Sequence, residues 1–229
     1  MNKNKYDLTV GELFENVPNN LRDDFDKVKY AWEIIPKIKD IIGRIIESGD
    51  EGYTTLTEGV LIGKNVNIAE TATIIPPVII GDDAEIRPGA YIRGDVYIGD
   101  GCVVGNSTEL KNCILLNRVQ VPHYNYVGDS ILGNNSHLGA GAICSNFRSD
   151  GKNVVVHAEI DYETNLRKFG AILGDRAEVG CGSVLNPGTV IGKRTQVYPL
   201  TMARGVYPRE SIVKSTKKVV KKKRKRGTV

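Results

Sequence analysis

The chain has 229 residues, 41% hydrophobic and 25% charged, enough for one substantial core. No stretch approaches the ~18 apolar residues of a membrane span, and MNKNKYDLTV has no apolar run behind its charges, so neither a span nor an export signal is expected. The formal charge of +4 is misleading: Lys217, Lys218, Lys221, Lys222, Lys223, Arg224, Lys225 and Arg226 crowd the C-terminus, and without those eight there remain 23 basic and 27 acidic groups, a net of −4.

Residues 1–52 carry helical signals. Ile35, Ile38, Ile42 and Ile45 recur at helical spacing, with Pro36 suited to a first turn and Gly49 to a helix end. A shorter helix is expected around Val10 to Val17. The segment would form a cap over the first coil of the repeat that follows. From Leu56 every sixth residue is aliphatic for eleven positions: Leu56, Ile62, Ile68, Ile74, Ile80, Ile86, Ile92, Ile98, Val104, Leu110 and Leu116. A second ladder of mostly compact residues trails four behind: Val60, Val66, Ala72, Val78, Ala84, Ala90, Val96, Cys102, Thr108 and Ile114.

Neither a helix nor a flat sheet has period six. A short strand plus a tight corner, three units to a turn, gives an 18-residue triangular coil with its aliphatic residues stacked inward. The fold class is therefore all-β, a single-stranded parallel β-helix over residues 53–207. The rhythm slips between Leu116 and Leu132, where sixteen residues replace eighteen, and stops over 145–170, a polar excursion expected to be an external loop. It returns at Leu173, Val179, Leu185, Ile191 and Val197. Residues 208–229 read as a disordered basic tail, since no aromatic residues interleave the cations and no nucleic-acid fold accompanies them; neither nucleic acid nor membrane is expected as a partner. Cys102, Cys113, Cys144 and Cys181 lack CxxC spacing, which suits reduced core packing and a cytoplasmic location.

Chemistry concentrates in the slip. VPHYNYVGDS places His123 beside Tyr124, Asn125 and Tyr126, and an imidazole is the side chain best poised to take a proton near neutral pH. Arg93 and Lys111 each follow a ladder residue and lie 18 apart, one coil, so they should share a column. Two like charges so placed need an anion, for which a phosphate would serve, or neutralisation by acids such as Asp95 or Glu109. Lys152 could add a further cation.

The stretch GNSTELKNCILLNRVQVPHYNYVGDSILGNNSHLGAGAICSNFRSDGK resembles the acetyltransferase domain of bifunctional N-acetylglucosamine-1-phosphate uridyltransferase/glucosamine-1-phosphate acetyltransferase, and more closely the stand-alone UDP-N-acetylglucosamine pyrophosphorylase-related proteins. The resemblance implies a homotrimer of left-handed β-helices, with acetyl-CoA and an amino-sugar phosphate meeting between subunits and no metal required. It places His123 as general base; Arg93, Lys111, Tyr126, His137 and Lys152 on the sugar phosphate; and Ala140, Asn146, Phe147 and, less directly, Asp175 on the coenzyme. The sequence departs from the family at His137, where an Asn is usual, and at Phe147, where a Tyr is usual; the loop after Lys152 is longer. The glycine-rich GxGTRxxP nucleotide loop of the pyrophosphorylase domain does not occur in these residues.

The expected reaction is acetyl transfer from acetyl-CoA to the amine of a glucosamine-1-phosphate-like acceptor, in UDP-N-acetylglucosamine biosynthesis. Backbone N–H groups of Gly139 to Ala142, or the Asn146 amide, would stabilise the oxyanion. Three other readings stand beside it: a sugar-1-phosphate nucleotidyltransferase, a zinc enzyme like the γ-class carbonic anhydrases, and a non-catalytic β-helix assembly module.

Overall fold

Strands of two to seven residues stack coil on coil at a spacing of 17 or 18 residues, except for one coil lengthened to 41 and a last coil of 16, so that Val60 lies beside Val78, Val78 beside Val96, and Val96 beside Cys113. The computed structural model describes residues 6–49 and 52–222, and within it the chain winds as a left-handed parallel β-helix. The ladder residues from Ile80 to Leu110 are fully buried inside the prism, together with Ala84, Ala90, Val96 and Cys102 of the small ladder. Period six thus has the meaning expected of it: each inward side chain rests on its equivalent one coil below, and the parallel backbone bonds hold that register.

The two ends of the first ladder differ from expectation. Leu56 is 50% exposed, because Thr54–Thr57 runs antiparallel to Val60–Ile62 and precedes the first coil. At the other end Leu115, not Leu116, pairs with Ile98, and Leu132 then pairs with Leu115. The shortening is therefore two successive coils of 17 residues. The missing residue is lost at one corner: Arg93, Gly94 and Asp95 separate Ile92 from Val96, whereas only Lys111 and Asn112 separate Leu110 from Cys113, and only Gly128 and Asp129 separate Val127 from Ser130. Asn112 and Asp129 turn this corner in the left-handed region, with φ of 46° and 48°. One coil later the same corner accepts the whole 145–170 excursion, since Cys144 pairs with Val127 and the chain resumes with Ile172 beside Ile131.

A second apolar column points outward. Leu61, Ile79, Tyr97, Ile114, Ile131, Ile172 and Val190 stand in register on one face and are buried. The N-terminal segment covers them. Helix α1 spans Val10–Leu13, α2 Asn19–Asp26 and α3 Ile38–Ser48, which ends at Gly49 with φ of 63°. Ile38, Ile41, Ile42 and Ile45 of α3 pack on Ile79, Tyr97 and Ile114. The expected end cap is therefore a sheath along a side face; α1 is shorter than the expected helix, and α2 was not foreseen. The excursion completes the sheath. Val155–His157 and Asp161–Glu163 form a hairpin, and Val154, Val156 and Phe169 are buried with Trp32 against the same column.

The C-terminus also differs. Ser211–Ser215 continues the coil beside Gln196–Val197 and folds back on Lys218–Lys221 as a hairpin, so the segment from 208 to 222 is ordered coil and edge strand. Lys223, Arg224, Lys225 and Arg226 lie outside the described residues. Cys102, Cys113 and Cys144 are buried in the prism, with burial pushing the first and last thiols up to about 12 and Cys113 further in the same direction; Cys181 is exposed.

Two substitutions test this packing. Ile86→Asp puts an unpartnered charge among stacked aliphatic residues and should abolish cooperative unfolding or drive aggregation. A Cβ on Gly105 would overlap the Pro122 carbonyl one coil away, so Gly105→Ala should cost at least ~1–3 kcal/mol in urea denaturation.

Candidate active site

One narrow face of the prism carries Tyr91, Glu109, Tyr126 and Ile143 in a column across four coils. It is bounded by two corners. At the first, Tyr124 takes φ of 51° and is followed coil by coil by Gly141, Gly182 and Leu200, all in the left-handed region. The second is the shortened corner just described. Arg93, Lys111, His123, Tyr126, Ala140 and Asn146 lie along these two edges or on the face between them.

Arg93 and Lys111 do occupy successive coils at the second corner, but each already has a carboxylate. Arg93 Nη1 donates to Glu109 Oε1 at 2.6 Å, which raises the guanidinium pKa; its carbon also lies 5.8 Å from the Tyr91 ring centroid. Lys111 Nζ reaches both oxygens of Asp129 at 3.4 Å. The pair therefore does not require an external anion. Asp129, 4% exposed, is the residue that sequence reasoning missed. Asn112 Nδ2 donates to its Oδ1 at 2.8 Å, and Asn146 Nδ2 donates to its Oδ2 and, at 3.1 Å, to Tyr126 Oη. Burial, followed by the charges of Asp129 and Glu109, raises the Tyr126 phenol, so it stays protonated. The only sequence signal for Asp129 was its place in the rhythm slip.

His123 ends the strand Gln120–His123 just before the first corner and is exposed, with no ring-nitrogen hydrogen bond among the described residues. Asn125, 2% exposed, braces the turn: its Oδ1 accepts from the His123 N–H, and its Nδ2 donates to the Gly139 carbonyl at 2.8 Å and the Ala142 carbonyl at 3.2 Å. His123 and Tyr126 are thereby set on opposite sides of one edge. In the GAGA turn, the N–H groups of Gly139, Gly141 and Ala142 are committed to the carbonyls of Val179, His123 and Gly139. Among the described residues the Ala140 N–H alone of the four lacks a partner, and Ala140 is exposed.

Other expected residues fall outside this group. Lys152 is exposed on the excursion, its N–H donating to Asp150 Oδ1. Phe147 is 45% exposed, with Arg167 over its ring at 5.9 Å. Asp175 is corrected outright as a coenzyme ligand. It is 1% exposed, and its carboxylate accepts from the N–H groups of Glu15 and Asn134 and from Asn134 Nδ2, tying the N-terminal segment to the coils. His157, on the hairpin, bonds Asp161 and Arg204. A groove of about 950 Å³ beside it, walled by Tyr207, Val219 and Val220, contains none of the expected site residues.

The architecture and the two-corner site define a hexapeptide-repeat left-handed β-helix protein. The family model described as the GMPPB C-terminal domain matches residues 74–166. Bifunctional protein GlmU of Methanococcus vannielii is 32% identical over 198 residues, 84% of this chain and 47% of that protein. A bifunctional sugar-1-phosphate nucleotidylyltransferase/acetyltransferase of Sulfurisphaera tokodaii is 33% identical over 152 residues, 58% of this chain and 38% of that one. The chain spans about half the length of the curated GlmU relatives it matches. Among solved structures, PerB from Caulobacter crescentus, in complex with CoA and GDP-perosamine, is 20% identical and covers 65% of this chain and 53% of its own, with a TM-score of 0.41. The chain resembles the acetyltransferase domain of bifunctional GlmU.

His137 supplies a pH test. Burial pushes its imidazole below the ordinary value, Glu178 opposes this, and His123 adds to the lowering. The folded state then prefers the neutral ring, so this contribution is present above the unfolded-state value of about 6.5 and is lost as pH falls through the lower folded one. Denaturation midpoints at pH 7.5 and 5.5 should converge between wild type and His137→Asn at the higher pH and separate at the lower, with the variant losing less.

Proposed function

We propose that the chain transfers the acetyl group of acetyl-CoA to the amine of an amino-sugar 1-phosphate, a glucosamine-1-phosphate-like acceptor in nucleotide-sugar biosynthesis. One observation carries this reading: four successive coils deliver Arg93, Lys111, Tyr126 and Asn146 to one face, with His123 and the free Ala140 N–H on the adjoining edge. Cations, a protonated phenol, a candidate base and a candidate oxyanion donor are what attack of an amine on a thioester requires.

In the reaction the amine nitrogen attacks the acetyl carbonyl carbon, the carbonyl oxygen takes up negative charge, and the C–S bond then breaks to release CoA. His123 accepts the amine proton and can return it to the thiolate, so no net proton stays on the protein. The Ala140 N–H faces the developing oxyanion; Gly141 and Gly182 leave the edge low enough for the pantetheine arm to lie along it. Arg93 commits one nitrogen to Glu109 in an exposed and therefore weak ion pair, keeping further N–H donors for the phosphate. A homotrimer fits this assignment. The site lies on a prism edge with exposed Tyr124, Ile143, Leu200 and Met202, and side-by-side prisms would cover that apolar surface and enclose the reacting groups.

Screening amino-sugar 1-phosphates with acetyl-CoA while measuring thiol release tests the activity and identifies the acceptor. His123→Ala should lower turnover ~10²–10⁴-fold with the melting temperature unchanged. Arg93→Ala should raise the acceptor KM far more than the acetyl-CoA KM. A fully active monomer by light scattering would remove the shared site.

A further inference from the structure

The network around Asp129 decides which atoms the site can offer. A carboxylate accepts hydrogen bonds and has none to give, so whatever faces it must present N–H. Asn146 therefore turns Nδ2 toward Asp129; a flipped amide would set two acceptors against each other. The second Nδ2 hydrogen goes to Tyr126 Oη. Both amide hydrogens are then used. What remains outward is Asn146 Oδ1, an acceptor, together with the hydroxyl hydrogen of Tyr126, a donor whose oxygen already accepts from the amide. This reverses the expectation that the Asn146 amide stabilises an oxyanion, for it has no N–H left to do so.

We propose that Asp129 is a positioning residue that fixes the hydrogen-bond polarity of this face, holding Asn146 as an acceptor and Tyr126 as a donor toward the sugar. The proposal rests on the acetyl-transfer reading for its substrate, though the polarity itself does not. Three observations bear on it together. Asp129 is buried, so its charge needs the donors it has; Lys111 neutralises it from one coil below; and its left-handed φ at the shortened corner aims the carboxylate at Asn146. An adjacent acceptor and donor match a hydroxyl or a neutral amine, each of which gives one hydrogen and takes another. They do not match an acceptor-only group, which would leave Oδ1 unpaired. The face should thus select the acceptor amine or a neighbouring ring hydroxyl in its neutral, bifunctional form.

Asp129→Asn lets residue 129 offer N–H to Asn146 and frees the amide to flip. The acceptor KM is expected to rise at least tenfold with the acetyl-CoA KM unchanged. In the exchanged pair, Asp129→Asn with Asn146→Asp, the buried charge and its hydrogen bond are regained but the polarity is not. Its melting temperature should recover while the acceptor KM stays high. A normal KM in the single variant, or recovery of both quantities in the exchanged pair, would overturn the proposal. A separate arm needs no turnover: in protein labelled with ¹⁵N at asparagine, the Asn146 side-chain hydrogens should exchange slowly in wild type and rapidly in Asp129→Asn. If wild type acetylates no acceptor yet those hydrogens are protected, the acetyl-transfer reading fails and the polarity stands; if they exchange as a free amide does, the polarity fails.

Discussion

Everything in this molecule depends on stacking equivalent residues from one coil on those of the next. The parallel ladder tolerates no drift, because a slip of one residue would turn inward side chains out along a whole strand. A change in length can be absorbed only at a corner, and here the corner after the Tyr91, Glu109 and Tyr126 column absorbs it: two coils lose a residue there, the next gains the 145–170 excursion, and the last, with Arg204 alone between Ala203 and Gly205, loses two. Tightening the turn brings Lys111 and Asn112 within hydrogen-bond reach of Asp129. The candidate face is thus a by-product of where the repeat is irregular.

The second constraint comes from the outward column running from Leu61 to Val190. A prism face of isoleucine, leucine and valine cannot stay in water, and the N-terminal helices with the 155–163 hairpin are what bury it. Glu12 and Glu15 pair with Arg209, Arg176 and Arg194 along the prism, while Asp175 receives the Glu15 N–H, so the segment is held at several coils and not at one end. The N-terminal segment and the excursion meet at Trp32, between α2 and α3, which packs against Tyr162 and Phe169.

The period-six ladder was legible because each inward position reports burial by itself, and so was the helix ending at Gly49. The sheath was not foreseen, although the strands VLI, VII, VYI, CIL, SIL and AIL carry an apolar residue in the outward middle slot where other strands of the coil carry none. Reading Leu116 as a ladder residue hid the one-residue loss, since Leu115 and Leu116 are equally apolar and only the pairing with Ile98 separates them. His123 stood out by its place in the slip and Arg93 and Lys111 by their spacing, while Tyr126 and Asn146 were marked only through the family resemblance. Asp129 could not be placed, because its importance lies in what three other side chains do around it, and Asp175, expected near the coenzyme, is a buried anchor for the N-terminal segment.

The cysteines have a practical consequence. Three of the four are sealed inside the prism in a form that ordinary alkylating reagents do not attack, whereas Cys181 is open to solvent, with its sulfur 3.0 Å from where a side chain on Gly139 would begin. A single chain therefore offers one thiol for labelling, beside the Leu200 edge that side-by-side prisms would cover. A fluorophore or spin probe attached to it would sit one coil beyond the GAGA turn and report on that edge without any engineered mutation, and a colorimetric assay for released coenzyme must subtract one reactive sulfur for each chain.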